Sequence, residues 1–513
     1  MGLLDIELSW NHLLVTIFVY FVSVAVYRLF LHPLARFPGS KLAAVTRYVE
    51  AYYDLVCNGQ YTFKIAEMHK KYGPIIRISP HELHISDPSF FETLYSRDGR
   101  WDKYDWTYDA FGADLSIICA LDHYVHRRRR GPLETFLSKA NVSHKQDIVA
   151  KPVSKLCRRL DHLVDSNRGT GSARLKLAPA ISSFTRDVAT EFLFGESHDN
   201  LDHPDFNPGL TTVLQASGGI WRVSKHIRWY GKVMKSLPLS LVERLSDESG
   251  KAFLVFLKDM IRHTKDVHAA SANKTMDADS PHTLVNEILD SDLPPSDKSF
   301  ERCFDEVITV ASAAFETTAH SIRVILYHVY RNEDILGRLR DELAVAKAKH
   351  ASPSLKLADL EQLPYLTAVL MEGLRLAPAV ATRQARVAPD RDLVYKSWTI
   401  PAGTPVGMTT ILMHLDPELY PNPEQFQPER WVDIHDRRKA EKTFAPFSRG
   451  PRICVGMHLA WAELYMLIPA LISRYDFIFD TEAYDDIKWT SDQFMIGTSG
   501  KAGLSAAVKK VEI

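Results

Sequence analysis

The sequence has few cysteines and no excess of charge of either sign. Its 513 residues include five cysteines, all widely separated, and the formal net charge is −1. A sparse and odd set of cysteines argues against a disulfide scaffold, and the lack of excess basic charge argues against a nucleic-acid-binding protein. No CxxC pair, zinc-type Cys/His cluster or G-x-G-x-x-G dinucleotide fingerprint occurs. With 46% hydrophobic residues, the chain can instead bury a large core.

One long apolar run lies near the N-terminus. Leu13 to Tyr27 is uncharged, and three apolar residues follow Arg28. At about 1.5 Å per residue, this run spans most of a hydrocarbon core of about 30 Å. A cleaved signal peptide is the alternative, but the run is preceded by Asp5 and Glu7, with no basic residue, and no small-residue cleavage site follows. A retained membrane anchor is therefore favoured.

Basic residues cluster after the run, which predicts that the main domain faces the cytosol. The expected organisation is a membrane anchor at residues 1–32, a proline-containing hinge at 33–48 and one catalytic domain at 49–513. The expected location is the endoplasmic reticulum membrane, with a single pass.

Helical periodicity dominates the rest of the chain. Apolar residues from Phe304 to Val329 recur at steps of three and four and predict one long helix. A second helix is predicted over Pro364 to Leu376, since proline suits a first helical turn. Two short alternating runs at 75–79 and 82–86 predict a hairpin, and the small polar stretch 268–282 predicts an exposed loop. The expected fold class is mainly α with small β-sheets.

The most informative segment runs from Phe447 to Gly456. It contains Gly450, Arg452 and Cys454, and a helix-forming stretch follows it. Backbone N–H groups near a helix N-terminus stabilise a thiolate, and glycine lets the backbone approach a flat ligand closely. The alternative is a structural cysteine beside a helix cap. Five specified residue types at fixed spacing favour a ligand-binding loop.

The pattern F-x-x-G-x-R-x-C-x-G resembles the haem-binding loop of the cytochrome P450 family. The pair Glu372-x-x-Arg375 is similar to the E-x-x-R pair of that family, and 428–431 (Pro-Glu-Arg-Trp) resembles its P-E-R-F element. The stretch 313–318 (Ala-Ala-Phe-Glu-Thr-Thr) resembles the oxygen-activating signature of its long helix. The motifs also stand in the family's order. The sequence of the hinge and the Phe-Ser-Arg-Gly loop is most similar to that of fungal microsomal members.

The resemblance implies a cytochrome P450 fold behind a single transmembrane helix, with haem b as cofactor and Cys454 as the iron ligand. It implies further haem contacts at Arg452, Phe447, Gly450, Gly456, Arg130, His126 and Arg386. It also implies a buried structural network of Glu372, Arg375 and Arg430, and proton delivery by Glu316 and Thr317. The remaining arginines of the run 127–130 are expected to form a solvated face or to attract an acidic redox partner.

Two positions depart from the family pattern. Ala314 occupies a slot where the family usually has glycine, which narrows the groove that accepts oxygen. His126 replaces a tryptophan, although its ring can still donate a hydrogen bond.

A substrate pocket is expected to be apolar. Its candidate lining residues are Trp106, Tyr108, Phe111, Val310, Ala313, Val380 and Phe494. Ordinary aromatic core packing is an open alternative for these side chains. An apolar pocket points to a terpenoid or polyketide intermediate of secondary metabolism.

The predicted activity is that of a haem-thiolate monooxygenase, which inserts one oxygen atom from O2 into a C–H bond. Since the dinucleotide fingerprint is absent, electrons must come from another protein, which the resemblance implies is the NADPH-dependent cytochrome P450 reductase. Two alternatives are a haem-thiolate isomerase or dehydratase that needs no reductase, and a non-catalytic haem- or lipid-binding protein. Retention of the acid and alcohol at 316 and 317 disfavours both.

Overall fold

Helices make up most of the fold, as predicted. The computed structural model describes residues 10–167, 173–273, 281–349, 355–501 and 503–511. In chain order the helices are α1 (Trp10–Val26), α2 (Lys41–Val45), α3 (Tyr48–Ala51), α4 (Tyr61–Tyr72), α5 (Phe91–Leu94), α6 (Asp105–Tyr108), α7 (His123–Phe136), α8 (Lys139–His144), α9 (Asp147–Ser166), α10 (Leu177–Phe194), α11 (Pro208–His226), α12 (Tyr230–Ser236), α13 (Leu239–Leu245), α14 (Glu248–Asn273), α15 (Leu284–Asp290), α16 (Phe300–Tyr330), α17 (Glu333–Lys349), α18 (Leu357–Leu360), α19 (Pro364–Leu376), α20 (Thr410–His414), α21 (Ile434–Glu441) and α22 (Met457–Ile472).

The strands are short and form small sheets. They are β1 (Ile75–Ser79), β2 (Glu82–Ile85), β3 (Asp102–Lys103), β4 (Ala173–Lys176), β5 (Arg386–Val387), β6 (Leu393–Tyr395), β7 (Trp398–Ile400), β8 (Pro405–Gly407), β9 (Tyr475–Phe479), β10 (Ser491–Gln493), β11 (Met495–Gly497) and β12 (Ser505–Lys510). The sheets have the strand orders β1-β2-β8-β5-β3, β4-β12-β9, β6-β7 and β10-β11. The predicted hairpin is β1-β2, in which Ile75 pairs with Ile85.

The described chain divides into two compact units. Unit 1 comprises the described residues up to Leu94 together with Gly99–Tyr104 and Arg383–Thr409. Its core includes Tyr61 and Ile65 of α4 against β1, beside a buried ion cluster in which Arg383 binds Glu82 and Glu50 at 2.7 and 2.8 Å. Unit 2 comprises Tyr95–Asp98, Asp105–Thr382 and the described residues from Thr410 onward.

The N-terminal apolar run forms a helix. Helix α1 continues as a π-helical turn, Tyr27–Leu31. The segment Trp10–Leu31 is long and apolar enough to cross a membrane, and its apolar window is not buried in the protein. A signal sequence would share these properties. The residues predicted as a hinge, 33–48, are part of unit 1, in which Phe37 stacks on Trp398 at 4.9 Å between ring centroids.

Helix α16 is the predicted long helix and lies at the centre of unit 2. Its Ser299 hydroxyl caps the first turn by accepting from the Arg302 amide at 3.3 Å. Its apolar stripe, which includes Val307 and Phe315, is buried, and the helix packs on α10, α14, α19 and α22. Through this packing, α16 lies against α22, the helix that follows the Cys454 loop.

One local expectation is wrong. The stretch predicted as an exposed loop, 268–282, is helical up to Asn273, where α14 ends. Proline occurs in this stretch only at Pro281, so Ala269, Ala270 and Ser271 continue the helix. Residues 274–280 lie outside the described ranges.

Candidate active site

The loop around Cys454 is held in a fixed turn. The amide of Cys454 donates to the carbonyl of Phe447 at 2.9 Å, and residues 450–452 form a 3-10 turn. Gly450 has a φ of +73°, and a Cβ atom there would lie 2.3 Å from the Tyr95 carbonyl oxygen. Glycine is therefore required at 450 on two grounds, strain and space.

The Cys454 thiol is reachable by solvent although it lies among buried groups. Its side chain is accessible to solvent, yet burial raises the pKa of its thiol, against the opposing effects of the Gly456 amide hydrogen bond and the Arg130 charge. Both observations are consistent with a sulfur atom that opens onto a cavity inside the protein. A Cβ at Gly456 would likewise meet no atom within 4 Å. A reachable sulfur, an adjacent N–H donor and free space beside glycine fit a thiolate-ligated haem.

Helix α7 brings two predicted haem contacts to this region. Arg130 is buried, lies close enough to lower the Cys454 pKa, and binds Glu134 at 2.5 Å. His126 is buried one turn earlier on the same helix. Arg452 donates to the carbonyls of Ala120 and Leu121 at 2.5 and 2.7 Å, so two of its donors hold the segment that leads into α7.

Phe447 and Arg386 lie in different environments. Phe447 is half-buried and its ring lies 6.1 Å from that of Trp461 on α22. Arg386 is buried in β5 of unit 1, where its guanidinium donates to the carbonyls of Gln384 and Ala385. Its haem contact stays a prediction.

The expectation of a solvated arginine face on α7 is wrong for Arg129, whose side chain is only 13% exposed, whereas the Arg128 side chain is 46% exposed. Arg128 and Arg129 bind the two carboxylate oxygens of Asp297 at 2.8 and 2.9 Å, and the Asp297 side chain is only 2% exposed. These cations are therefore engaged by an acidic group of the same chain.

The predicted structural network is assembled around a single carboxylate. Arg375 donates to both oxygens of Glu372 at 2.8 Å, and neither side chain is exposed to solvent. Arg430 approaches the same carboxylate at 3.3 Å. The sequence analysis missed that Trp431 also donates its ring N–H, at 3.0 Å. The stretch 428–431 thus provides two donors to Glu372.

His414 joins this network to the Cys454 loop and was also missed. Its Nδ1 lies 2.9 Å from the carbonyl of Arg375, and its Nε2 accepts from the amide of Ala445 at 3.0 Å. One nitrogen must donate and the other accept, so the ring is neutral. Burial, aided by the Arg375 charge, lowers the pKa of His414 to about 3.

Stability should therefore fall in acid partly through His414. An unfolded histidine has a pKa of about 6.5, so the unfolded chain binds the extra proton between that value and about 3. The contribution of the neutral ring is present above pH of about 6.5 and is lost as the pH falls. We expect the free energy of unfolding of His414→Gln, measured by denaturant titration, to fall less steeply than that of the wild type between pH of about 7 and 5, by up to about 1.4 kcal/mol per pH unit. Parallel curves would contradict this assignment.

Helix α16 presents an open face in the middle of its buried length. Ala313 is exposed and Thr317 half-buried, and the Thr317 hydroxyl donates to the Ala313 carbonyl at 2.8 Å. Val310 is half-buried one turn before Ala313. Since helical residues 310, 313 and 317 share a face, this face lines a space within unit 2.

Glu316 is buried next to Thr317. One carboxylate oxygen lies 3.4 Å from the Arg323 guanidinium and 3.3 Å from the Gln215 amide. The other oxygen, Oε1, has no hydrogen-bond partner among the described residues. The structure thus brings an acid with a free oxygen next to an accessible hydroxyl.

Three of the predicted pocket aromatics form one cluster with Trp221, a residue that was not predicted. Phe111 packs edge-on against Phe494 with 4.7 Å between centroids, and Tyr108 stacks on Phe111 at 6.3 Å. Trp221 of α11 lies 5.4 Å from Phe494 and donates to the Thr107 carbonyl at 3.1 Å. Sequence analysis could not find Trp221, because no local pattern links α11 to the segment at 105–111.

Phe494 has an unusual backbone conformation. Its φ is +70°, and its carbonyl accepts from the amide of Ala381 at 2.9 Å. Val380 pairs with the neighbouring Met495 in an isolated bridge, which brings Val380 next to Phe494. Trp106 differs from the other candidates, because it packs on His226 and the Arg228 guanidinium.

Comparison with known proteins agrees with this geometry. The sequence model of the family described as Cytochrome P450 matches residues 53–501. The chain is 38% identical over 479 residues to the cytochrome P450 monooxygenase tpcC of Cochliobolus heterostrophus, covering 92% of this chain and 89% of that protein.

Other relatives carry more specific names. The chain is 36% identical to the tryptophan 6-hydroxylase fscE of Fusarium equiseti, over 90% of this chain and 89% of that protein. It is 34% identical to the conidiogenone synthase PchP450 of Penicillium rubens, over 90% of each chain. The chain therefore belongs to the cytochrome P450 family, whose members hold a haem iron and act as monooxygenases that use O2 and a redox partner.

Proposed function

We propose that this monooxygenase hydroxylates or epoxidises an apolar small molecule, a terpenoid or polyketide intermediate of secondary metabolism. The observation that carries the proposal is the accessible Cys454 thiol in an otherwise enclosed site, with Thr317 and Ala313 of α16 facing a space in the same unit. The relatives' names include tryptophan 6-hydroxylase and conidiogenone synthase, so the relatives do not share one substrate. Support for an apolar substrate therefore comes from the aromatic and apolar side chains that would line the pocket.

The chain's own residues would hold haem b at the Cys454 loop. Cys454 would ligate the iron as a thiolate, while the Gly456 amide hydrogen bond and the Arg130 charge stabilise the negative sulfur. The further haem contacts proposed within unit 2 are Arg452, Phe447, Gly450 and His126. When bound, a thiolate-ligated haem supplies the activation and cleavage of dioxygen. The network around Glu372 would keep the loop in place.

Protons for this chemistry would pass through α16. The Oε1 atom of Glu316 is buried and free of hydrogen bonds among the described residues, so it can take up a proton and hand it on. The Thr317 hydroxyl, which donates to Ala313 at 2.8 Å, can turn toward the space it faces. Positioned acid–base groups contribute about 10²–10⁴-fold to rate.

The aromatic cluster supports an apolar substrate. Phe111, Trp221 and Phe494 present ring surface, and aromatic rings bury large apolar area with defined geometry. Tyr108 and Val380 lie beside them, and Val310 and Ala313 would complete the lining from α16. Such a lining excludes water and orients a hydrocarbon skeleton.

Electrons would come from the NADPH-dependent cytochrome P450 reductase, because the chain has no dinucleotide fingerprint. We propose that Trp10–Leu31 anchors the protein in the endoplasmic reticulum membrane, with the catalytic domain in the cytosol beside that reductase. The apolar composition of this segment supports the anchor, and the basic residues after it support the orientation.

The experiment that tests the activity combines the full-length protein with reductase, NADPH and an extract from the native host lacking this gene. We expect an extract component to be consumed and a product with added oxygen to form only when NADPH and reductase are both present. Conversion in the absence of both NADPH and reductase would support the isomerase or dehydratase alternative. No conversion with any extract, despite a thiolate-type carbon-monoxide spectrum, would support the non-catalytic alternative.

Loss of the α16 hydroxyl should uncouple the reaction. For Thr317→Ala we expect product formation to fall by about 10²-fold, the lower end of the range for acid–base groups, while NADPH consumption continues and hydrogen peroxide is released. Thr317→Ser keeps the hydroxyl and serves as the control. Equal coupling of the alanine variant and the wild type would show that Thr317 delivers no proton.

A further inference from the structure

The end of the aromatic segment is held on α16 by two carboxylates that the mechanism does not use. The amide of Leu115 donates to Asp305 Oδ2 at 3.0 Å. The amide of Ile117 donates to the carboxylate of Glu306 at 3.1 Å. The two bonds join residues 190 and 189 positions apart in the chain, and hydrogen bonds to a charged acceptor are the stronger class.

The same segment is held from its other side by α7. Arg129 donates to the carbonyl of Leu115 at 2.9 Å, and Arg129 is itself fixed by the buried Asp297. Both backbone polar groups of Leu115 are therefore bound by charged side chains. We call residues 113–117 the anchored segment.

The two carboxylates differ in what supports them. Glu306 is paired with Arg302 at 2.8 Å, and neither side chain is exposed. Asp305 is half-buried. Among the described residues, its carboxylate accepts a hydrogen bond from the Leu115 amide. Removal of Asp305 therefore breaks one attachment of the anchored segment, that of the Leu115 amide, without leaving a buried guanidinium unpaired.

Residues of the proposed substrate pocket lie next to the anchored segment in two places: just before it in the chain and on α16, where it is attached. Phe111 and Tyr108 precede Leu115 by four and seven residues. Gly112, which lies between Phe111 and Leu115, has a φ of +67°, a conformation in which the chain turns sharply. On α16, Val310 lies one turn after Glu306. If the segment detached from α16, Tyr108 and Phe111 would be free to move relative to Val310 on α16.

We propose that Asp305 and Glu306 are positioning residues that hold residues 113–117 on α16 and thereby set how readily the pocket opens to a substrate. This inference rests on the proposed function, because it takes the aromatic cluster as the pocket wall. It concerns access and fit, while ligation of the iron depends on Cys454.

The test measures access directly with the full-length, haem-loaded protein. A bulky 1,2,4-triazole is mixed with wild type, Asp305→Ala, Asp305→Asn and Asp114→Ala, and the rate of the haem spectral shift is recorded. Asp114 is an exposed carboxylate in the same segment and controls for loss of charge. Hydrogen exchange at the Leu115 amide is measured in parallel.

One charge-assisted hydrogen bond contributes about 1.5–3 kcal/mol, so Asp305→Ala should raise both the triazole association rate and the exchange rate of the Leu115 amide by about tenfold or more. Asp305→Asn keeps one acceptor oxygen and should change both rates by less than about threefold. Asp114→Ala should match the wild type.

Two results would overturn the proposal: unchanged exchange at Leu115 in Asp305→Ala, or faster exchange with an unchanged triazole association rate. If Asp305→Ala yields no folded protein, Asp305→Ser, which also removes the carboxylate and leaves the buried Arg302–Glu306 pair intact, is judged by the same two results. A wild type without a thiolate-type carbon-monoxide spectrum would instead refute the proposed function, so the two failures are distinguishable.

Discussion

Replacement of Cys454 with alanine should abolish the carbon-monoxide difference spectrum of a reduced, thiolate-ligated haem and reduce reductase-supported turnover below detection. The reason is that no other side chain can take the place of this sulfur at the turn between Phe447 and Gly456. The other four cysteines are remote in sequence, and three of them, including Cys157 and Cys303, are buried. The measurement is the spectrum of purified protein, normalised to protein concentration.

Cys57→Ser is the matched control, because it removes a half-buried thiol in unit 1 and should leave the spectrum unchanged. A Cys454→Ala protein that still shows the thiolate-type spectrum would refute the ligand assignment. Far-ultraviolet circular dichroism of both variants separates loss of ligation from loss of fold.

Replacement of Glu372 with alanine should be the most destabilising single change in the network. It would leave the fully buried Arg375 guanidinium without a counter-charge and also remove the acceptor used by Arg430 and Trp431. Breaking a buried pair costs about 3–5 kcal/mol, a large share of a typical stability of about 5–15 kcal/mol. We expect little or no haem-loaded protein, measured as haem per polypeptide and as the thermal midpoint.

The control is Glu441→Ala on α21. Glu441 binds Arg437 at 2.8 Å, the same separation as in the buried pair, but both side chains are about two-fifths exposed. Solvent-exposed helical pairs contribute only about 0.3–0.5 kcal/mol. Comparable thermal midpoints and haem contents in the two variants would contradict the view that burial makes Glu372 critical.

The sequence predicted correctly what is encoded in local patterns. The bounds of α19 and the positions of β1 and β2 follow from apolar periodicity and from the prolines beside them. The loop at Cys454 and the Glu372–Arg375 spacing led to the family that the comparisons then showed. The failure at 268–273 was local as well, because small polar residues suit both an exposed loop and the last turns of a helix.

Contacts between distant parts of the chain could not be predicted from such patterns. Arg129 was expected on a solvated face, but Asp297, about 170 residues later, binds it together with the exposed Arg128. The role of Trp221 could not be predicted for the same reason, because its partners Phe111 and Phe494 lie far before and far after it in the sequence. Long-range partners of this kind have no fixed spacing in sequence.

The sequence by itself determined the helical class of the protein, its family and the position of the cysteine loop, because each depends on residues within about one or two helical turns of one another. Only the tertiary structure decided that His414 bridges Arg375 and the cysteine loop, and that Asp305 and Glu306 hold the segment next to the aromatic cluster. The physical reason is that a buried polar group must find its partner wherever the packing of helices brings one within hydrogen-bond distance.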